Sequence, residues 1–205
     1  MYLAVSATTK NQKPKAKYQI ISIIKASLRI SFLVETPRLI SQTPRLLIRE
    51  FTMDDLEPLT AMHLDPEVCR FIGLRTPEQT RKGLWDWIAA YRSLGFAKWA
   101  VVLLETGELI GRCGMTHEEY EGISEPELGW TFARAHWGFG YATEAAAAVM
   151  KYWFEELRFR RIISLIDPNN LPSERVALRL GMTLEREVRW KDKPANLYVK
   201  SNQVA

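Results

Sequence analysis

A strand, a glycine loop and an amphipathic helix follow one another without a break over residues 128–157, and this order constrains the chain more than any other feature. The apolar run 128–132 predicts the strand, and Gly138 and Gly140 lie in the loop. Ala146, Val149, Met150, Trp153, Phe154 and Leu157 then recur at helical spacing and predict one apolar stripe, with Glu144, Lys151 and Glu155 off it. The first N–H groups of a helix have no partner within it, and the macrodipole leaves that end partly positive. Glycines let an anion come close to those amides. The stretch therefore predicts a phosphate-binding turn.

Three phosphate ligands compete for such a turn. A P-loop needs a Gly-Lys-Ser/Thr ending, which this loop lacks. A dinucleotide fingerprint needs a third glycine where Thr143 stands, and an acid at the end of a second parallel strand. Glu155 and Glu156 fall within the helix instead. A coenzyme A pyrophosphate loop is the third reading. The run Trp137-Gly138-Phe139-Gly140-Tyr141-Ala142-Thr143-Glu144-Ala145 resembles the GNAT-type N-acetyltransferases, above all their Rim-type ribosomal-protein branch. Two further segments carry the same resemblance. Asp167-Pro168-Asn169-Asn170-Leu171-Pro172-Ser173 and the helix ending Leu180-Gly181-Met182 resemble the family's Pro-x-Asn-x-x-Ser segment and the helix after it. Thr43-Pro44-Arg45-Leu46-Leu47-Ile48-Arg49 is similar to the branch's first strand. The three matches span residues 43 to about 190.

The resemblance implies a mixed α/β fold: GNAT-like α/β/α layers around a central, mostly antiparallel twisted sheet with one splayed parallel strand pair. Residues 43–205 would form the acetyltransferase domain. The pantetheine arm of acetyl-CoA would lie in the splay, beside backbone groups of Trp130 and Phe132. Loop residues Ala135, His136, Trp137, Gly138, Phe139, Gly140, Tyr141, Ala142 and Thr143 would hold the pyrophosphate, with Asn170 and Ser173 on the pantetheine side. Ala135 stands where the family carries Gln or Arg; the backbone donors survive that departure. Acetyl transfer requires the amine to lose a proton, the tetrahedral oxyanion to find a donor and the leaving thiolate to be stabilised. Glu127 is the candidate base, through water. Ser173 is the candidate donor to the sulfur, although it also suits a helix cap, and Tyr198 is the alternative acid. An N-terminal α-amine, with a pKa of about 8 against about 10.4 for lysine, is the easier acceptor to deprotonate. A polyamine, an aminoglycoside or another small amine stays open, as does a non-catalytic module that binds acyl-CoA as a regulator.

Residues 1–42 differ from the rest. They hold seven basic residues and one acid, a net +6; the whole chain carries +4, which leaves −2 for residues 43–205. The positive balance therefore belongs to the extension, and no specific nucleic-acid partner is expected. Residues 18–34 are apolar with Lys25 and Arg29 inserted. They suit a transit peptide, a helix lying on an anionic membrane, or a non-functional extension. The expected compartment is the cytoplasm, or an organelle if residues 1–42 are a transit peptide. Thr36–Ile40 nearly repeats Thr43–Leu47, too briefly for a repeat architecture. Cys69 and Cys113 suggest free thiols. His63, His117 and His136 lack metal-ligand spacing, so no metal is expected. No apolar run is long enough for a transmembrane helix, and the chain is expected to be a monomer or homodimer. The five glutamates of residues 117–127 suit a solvated loop, or a lure for a cationic amine. Elsewhere, Thr52 is expected to cap a helix with Asp54 and Asp55 in its first turn. Thr76 and Gln79 suit a capping box before a helix that buries Leu84, Trp85, Ile88 and Tyr91. A hairpin is expected over 97–116, a buried strand over 162–166, a helix from Ser173 to Gly181, and edge strands to Tyr198.

Overall fold

Residues 36–202 are described in a computed structural model of the chain, so the amphipathic stretch expected within 18–34 lies outside them. Two pairs of positive-φ residues set the hairpins that organise the sheet. Glu121 and Gly122 turn β4 (Leu109–Tyr120) back into β5 (Ile123–Phe132), with Tyr120 paired to Ile123. Lys191 and Asp192 do the same between β7 (Thr183–Trp190) and β8 (Lys193–Ser201). Two consecutive positive φ values match the right-handed twist of the flanking strands. With β1 (Leu39–Gln42), β2 (Leu46–Arg49), β3 (Lys98–Leu103) and β6 (Arg161–Ile166), they form an eight-stranded sheet of order β1-β2-β3-β4-β5-β6-β8-β7. Every neighbouring pair is antiparallel except β5 and β6.

Among the described residues four α-helices cover the sheet: α1 (Leu56–Leu64), α2 (Pro77–Ser93), α3 (Tyr141–Glu155) and α4 (Leu171–Arg179). The expected stripe of α3 buries Ala146, Val149, Met150 and Trp153 against Trp99, Met115, Leu128 and Ile162. On the other face, Leu59 and Met62 of α1 and Leu84 of α2 close over Phe51 and Ala100. Side chains alternate along a strand, so β5 sends Leu128 and Phe132 toward α3 and Glu127, Gly129 and Thr131 to the opposite face. The fold is the expected mixed α/β arrangement with one parallel pair.

Several local expectations change. Trp85 is 55% exposed, because it lies about 100° around the helix from Leu84. Trp87 takes the inner place and stacks on Phe51 at 5.5 Å between ring centroids. α3 ends at Glu155, so Leu157 packs on the core from beyond the helix. β8 is no edge, since it pairs with both β6 and β7. β1 is a strand the sequence did not suggest, and it lies before Thr43. A 3-10 turn, Met53–Asp55, precedes α1. Its Asp55 is buried, takes the Thr52 N–H at 2.8 Å and forms a two-pronged pair with Arg49 at 2.8 Å on each prong. The Thr76–Gln79 capping box forms as expected, with the N–H of Gln79 on Thr76 Oγ1 and that of Thr76 on Gln79 Oε1.

Candidate active site

β5 and β6 share one register pair, Glu127 with Ile163. Just beyond it, the buried Ser164 hydroxyl donates to the Leu128 carbonyl at 2.7 Å, taking an acceptor that would otherwise continue the ladder. The strands part there. Because they run in the same direction, the loops that follow them, and the N-termini of α3 and α4, share the open end of the cleft. Backbone groups alternate in direction along β5, so Leu128, Trp130 and Phe132 address the cleft. The Phe132 carbonyl is already taken by the Trp137 indole N–H at 2.8 Å, and the Phe132 side chain is buried in the core. Trp130, with the Phe132 N–H, therefore supplies the backbone groups left in the splay.

The glycine loop has the form an anion site needs. Gly138 and Gly140 have φ of 84° and 82°, a region that favours glycine. A Cβ on Gly138 would meet nothing within 4 Å, so its surroundings are open. Ala135 and His136 form a 3-10 turn with Arg134, and Gly140 caps α3 ahead of Tyr141, Ala142 and Thr143. The His136 ring points to Glu108, Nε2 to Oε1 at 3.3 Å, and not into the loop. Phe139 stacks on Tyr141 at 5.7 Å, and the Arg45 guanidinium lies over the Tyr141 ring at 4.6 Å.

Arg45 straps the loop in place. Its Nη1 donates to the Phe139 carbonyl at 2.9 Å, and its Nε donates to Glu144 Oε2 at 2.7 Å. Thr43 Oγ1 donates to the other Glu144 oxygen at 2.5 Å. Burial pushes the Glu144 carboxyl up, but the bonds from Thr43 and Arg45 outweigh it and hold the group below the usual range.

Glu127 is not a solvated strand-start carboxylate. It is 8% exposed and pairs with Lys98 Nζ at 2.9 Å, itself 6% exposed. Lys98 also donates to the Gly114 carbonyl at 3.1 Å. Glycine at 129 makes room for the pair, since a Cβ there would come within 2.7 Å of Nζ. The carboxylate stands where the cleft opens, on the sheet face opposite α3.

The cap of α4 is Asn170, not Ser173. Asn170 Oδ1 accepts the N–H of Ser173 at 3.3 Å, because the helix begins at Leu171 and position 173 supplies a free donor in its first turn. The Ser173 hydroxyl has no hydrogen bond among the described residues and is half-buried at the open end of the cleft. Tyr198 is buried on β8 and its hydroxyl donates to Glu174 at 2.7 Å; burial, then that bond, push it up to about 12. Gly181 ends α4 in the left-handed region, as expected.

Four of the five glutamates in the acidic run are held in ion pairs, and Glu119 is exposed. Glu118 pairs with Lys191, Glu121 with Arg186, Glu125 with Arg161 and Glu127 with Lys98. These pairs fasten the long β4–β5 hairpin to β3, β6, β7 and the β7–β8 turn. Arg45, Lys98 and Ser164 went unnoticed as site residues in the sequence. Lys98 carried a signal, a single charge in an otherwise apolar strand; Ser164 carried none. Among the described residues, no cluster of His, Cys, Asp and Glu could hold a metal, and no helix is long and apolar enough to cross a membrane.

The family model described as acetyltransferase (GNAT) domain matches residues 45–183. The uncharacterized protein YkkB of Bacillus subtilis (strain 168) is 36% identical over 165 residues, 78% of this chain and 94% of its own length. The uncharacterized N-acetyltransferase YnaD of the same organism is 34% identical over 145 residues, 70% of this chain and 82% of its own. An acetyltransferase of known structure from Agrobacterium tumefaciens str. C58 is 30% identical with a TM-score of 0.71, over 79% of this chain and 94% of its own.

Proposed function

The chain belongs to the GNAT acetyltransferase family, and on that basis we propose that it moves the acetyl group of acetyl-CoA directly onto one primary amine, an N-terminal α-amine of a peptide or a small molecule. The observation that carries this reading is the single register pair between β5 and β6, with Glu127 at the vertex and an open glycine turn at the mouth. The loop amides and the N-terminus of α3 would hold the pyrophosphate. The Trp130 N–H would donate to the thioester oxygen as negative charge develops on it. Glu127, through water, would take the proton that the ammonium must lose. The amine nitrogen then attacks the carbonyl carbon, the C–S bond breaks, and the Ser173 hydroxyl donates to the departing sulfur. Polycationic acceptors fit less well, because all but one of the glutamates that would attract them are internally paired.

The test is thermal unfolding with acetyl-CoA, followed by an amine panel. At 100 times its dissociation constant a ligand adds about 2.7 kcal/mol of stability. Wild type should be stabilised, and Gly138→Glu, which puts a carboxylate into the turn, should not. Acetyl transfer to at least one α-amine, lost in Glu127→Gln, is expected. Stabilisation without transfer to any amine would favour the regulatory binding module instead.

A further inference from the structure

We infer that the acceptor site contains an anion subsite centred on Arg112, so that the acceptor carries a carboxylate as well as its amine; this rests on the acetyl-transfer reading above. Arg112 is 6% exposed on β4, and its Nε is enclosed with no partner. Among the described residues no hydrogen bond or ion pair reaches its guanidinium, which lies over the Trp87 ring at 5.4 Å from the centroid. A buried guanidinium without an anion is costly, and such a group is retained where something else supplies the charge. Burial, then Arg75, lower Arg112 to about 10, so it stays charged at neutral pH.

The surroundings are short of negative charge. His63, fully buried, is pushed down to about 3 by burial, then by Arg112 and Arg75, so it is neutral there. Its Nδ1 lies 3.2 Å from Thr80 Oγ1, and its Nε2 is enclosed without a partner. Glu127 is the nearby carboxylate, and Lys98 already holds it. Arg112 Nε and His63 Nε2 are thus two enclosed polar atoms without partners, on groups close enough for Arg112 to depress His63.

The subsite lies on the acceptor's side of the sheet. In the β4–β5 ladder Arg112 faces Thr131, Gly114 faces Gly129 and Thr116 faces Glu127. Directly paired residues share a face, so Arg112 and Glu127 stand on the same one. Thr131, the partner of Arg112, lies four residues along β5 from Glu127, about 13 Å of strand, and an acceptor lying along that face would present its amine toward Glu127 and a carboxylate toward the Arg112 fork. The planar fork matches a carboxylate in two-pronged geometry. The same charge would also suit a phosphate monoester, which the test separates.

Matched acceptors would be compared on the full chain with acetyl-CoA: a glycyl dipeptide with a free carboxylate, its C-terminal amide, and aminoethyl phosphate. The free carboxylate should show at least tenfold higher kcat/KM than the amide, and Arg112→Met should bring that ratio close to one. A ratio near one in wild type overturns the subsite while leaving acetyl transfer intact. A preference for the phosphate over the carboxylate overturns the carboxylate assignment. Binding of N-acetylglycine in the presence of coenzyme A is a readout that needs no turnover: Arg112→Met should weaken it at least tenfold, and equal binding refutes the subsite. Arg112→Met should unfold at or above the wild-type temperature, since it removes an unpaired buried charge. A large loss of stability would make Arg112 a structural residue and refute the inference. Arg75→Ala, on a half-exposed side chain, should weaken N-acetylglycine binding less than Arg112→Met, and no effect of either variant has the same negative meaning.

Discussion

Ser173 and Asn170 separate two jobs that the sequence allowed a single residue to hold. Asn170 caps α4, so Asn170→Ala should cost about 1 kcal/mol of stability, read from denaturant unfolding. Ser173 carries no such load. Ser173→Ala should leave the midpoint within about 0.5 kcal/mol of wild type and lower kcat more than it raises the KM for acetyl-CoA. A destabilised Ser173→Ala with unchanged kcat would return the serine to a structural role. Glu127 is harder to read from a single variant, because Lys98 stays buried when its partner is removed. Glu127→Gln should lose activity and also about 3–5 kcal/mol of stability, the usual result of breaking a buried pair. The double variant Lys98→Met with Glu127→Gln separates the two effects: stability should recover toward wild type and activity should not. Recovery of activity as well would remove Glu127 from the chemistry.

The glycine loop and its helix were legible as an element, because an apolar stripe at helical spacing and two glycines have few other uses. What holds the element was not legible. Thr43 and Arg45 lie about a hundred positions before Glu144, and nothing in local pattern links them. β1 was missed for a related reason: four residues beside a basic extension become a strand only because β2 offers them an edge. β8 was misplaced because strand order is set by pairing and not by sequence order. The Arg45–Glu144 strap should act on cofactor binding before chemistry. Arg45→Ala frees the Phe139 carbonyl and uncovers Tyr141, so the KM for acetyl-CoA should rise about tenfold, equivalent to about 1.4 kcal/mol, with kcat changed less. Glu144→Gln should do the same more weakly, since the contact to Phe139 survives. An unchanged KM in both would show that the loop holds its shape without the strap.

Across the whole molecule, the sequence placed the α/β/α layers but not the polar groups buried between them, because one charge inside an apolar strand does not announce which partner it will meet. Those groups make stability depend on pH in a defined direction. His63 is fully buried and holds a proton only near pH 3, whereas in the unfolded chain it takes one near pH 6.5. Between those values the unfolded state binds more protons, so acid favours unfolding. The contribution is complete above about pH 6.5 and is lost as pH falls, at up to about 1.4 kcal/mol for each unit. The depressed carboxyls of Glu144 and Glu185 add to the loss only below their unperturbed value of 4.5. The window from about 6.5 to 5 therefore isolates the histidine. Wild type should lose about 2 kcal/mol across it by denaturant unfolding, and His63→Gln, which can keep a bond to Thr80, should lose much less. Equal slopes in the two proteins would mean that His63 is protonated in the folded state, and with a second cation beside it Arg112 would be more exposed to solvent than its burial between α2 and the sheet allows.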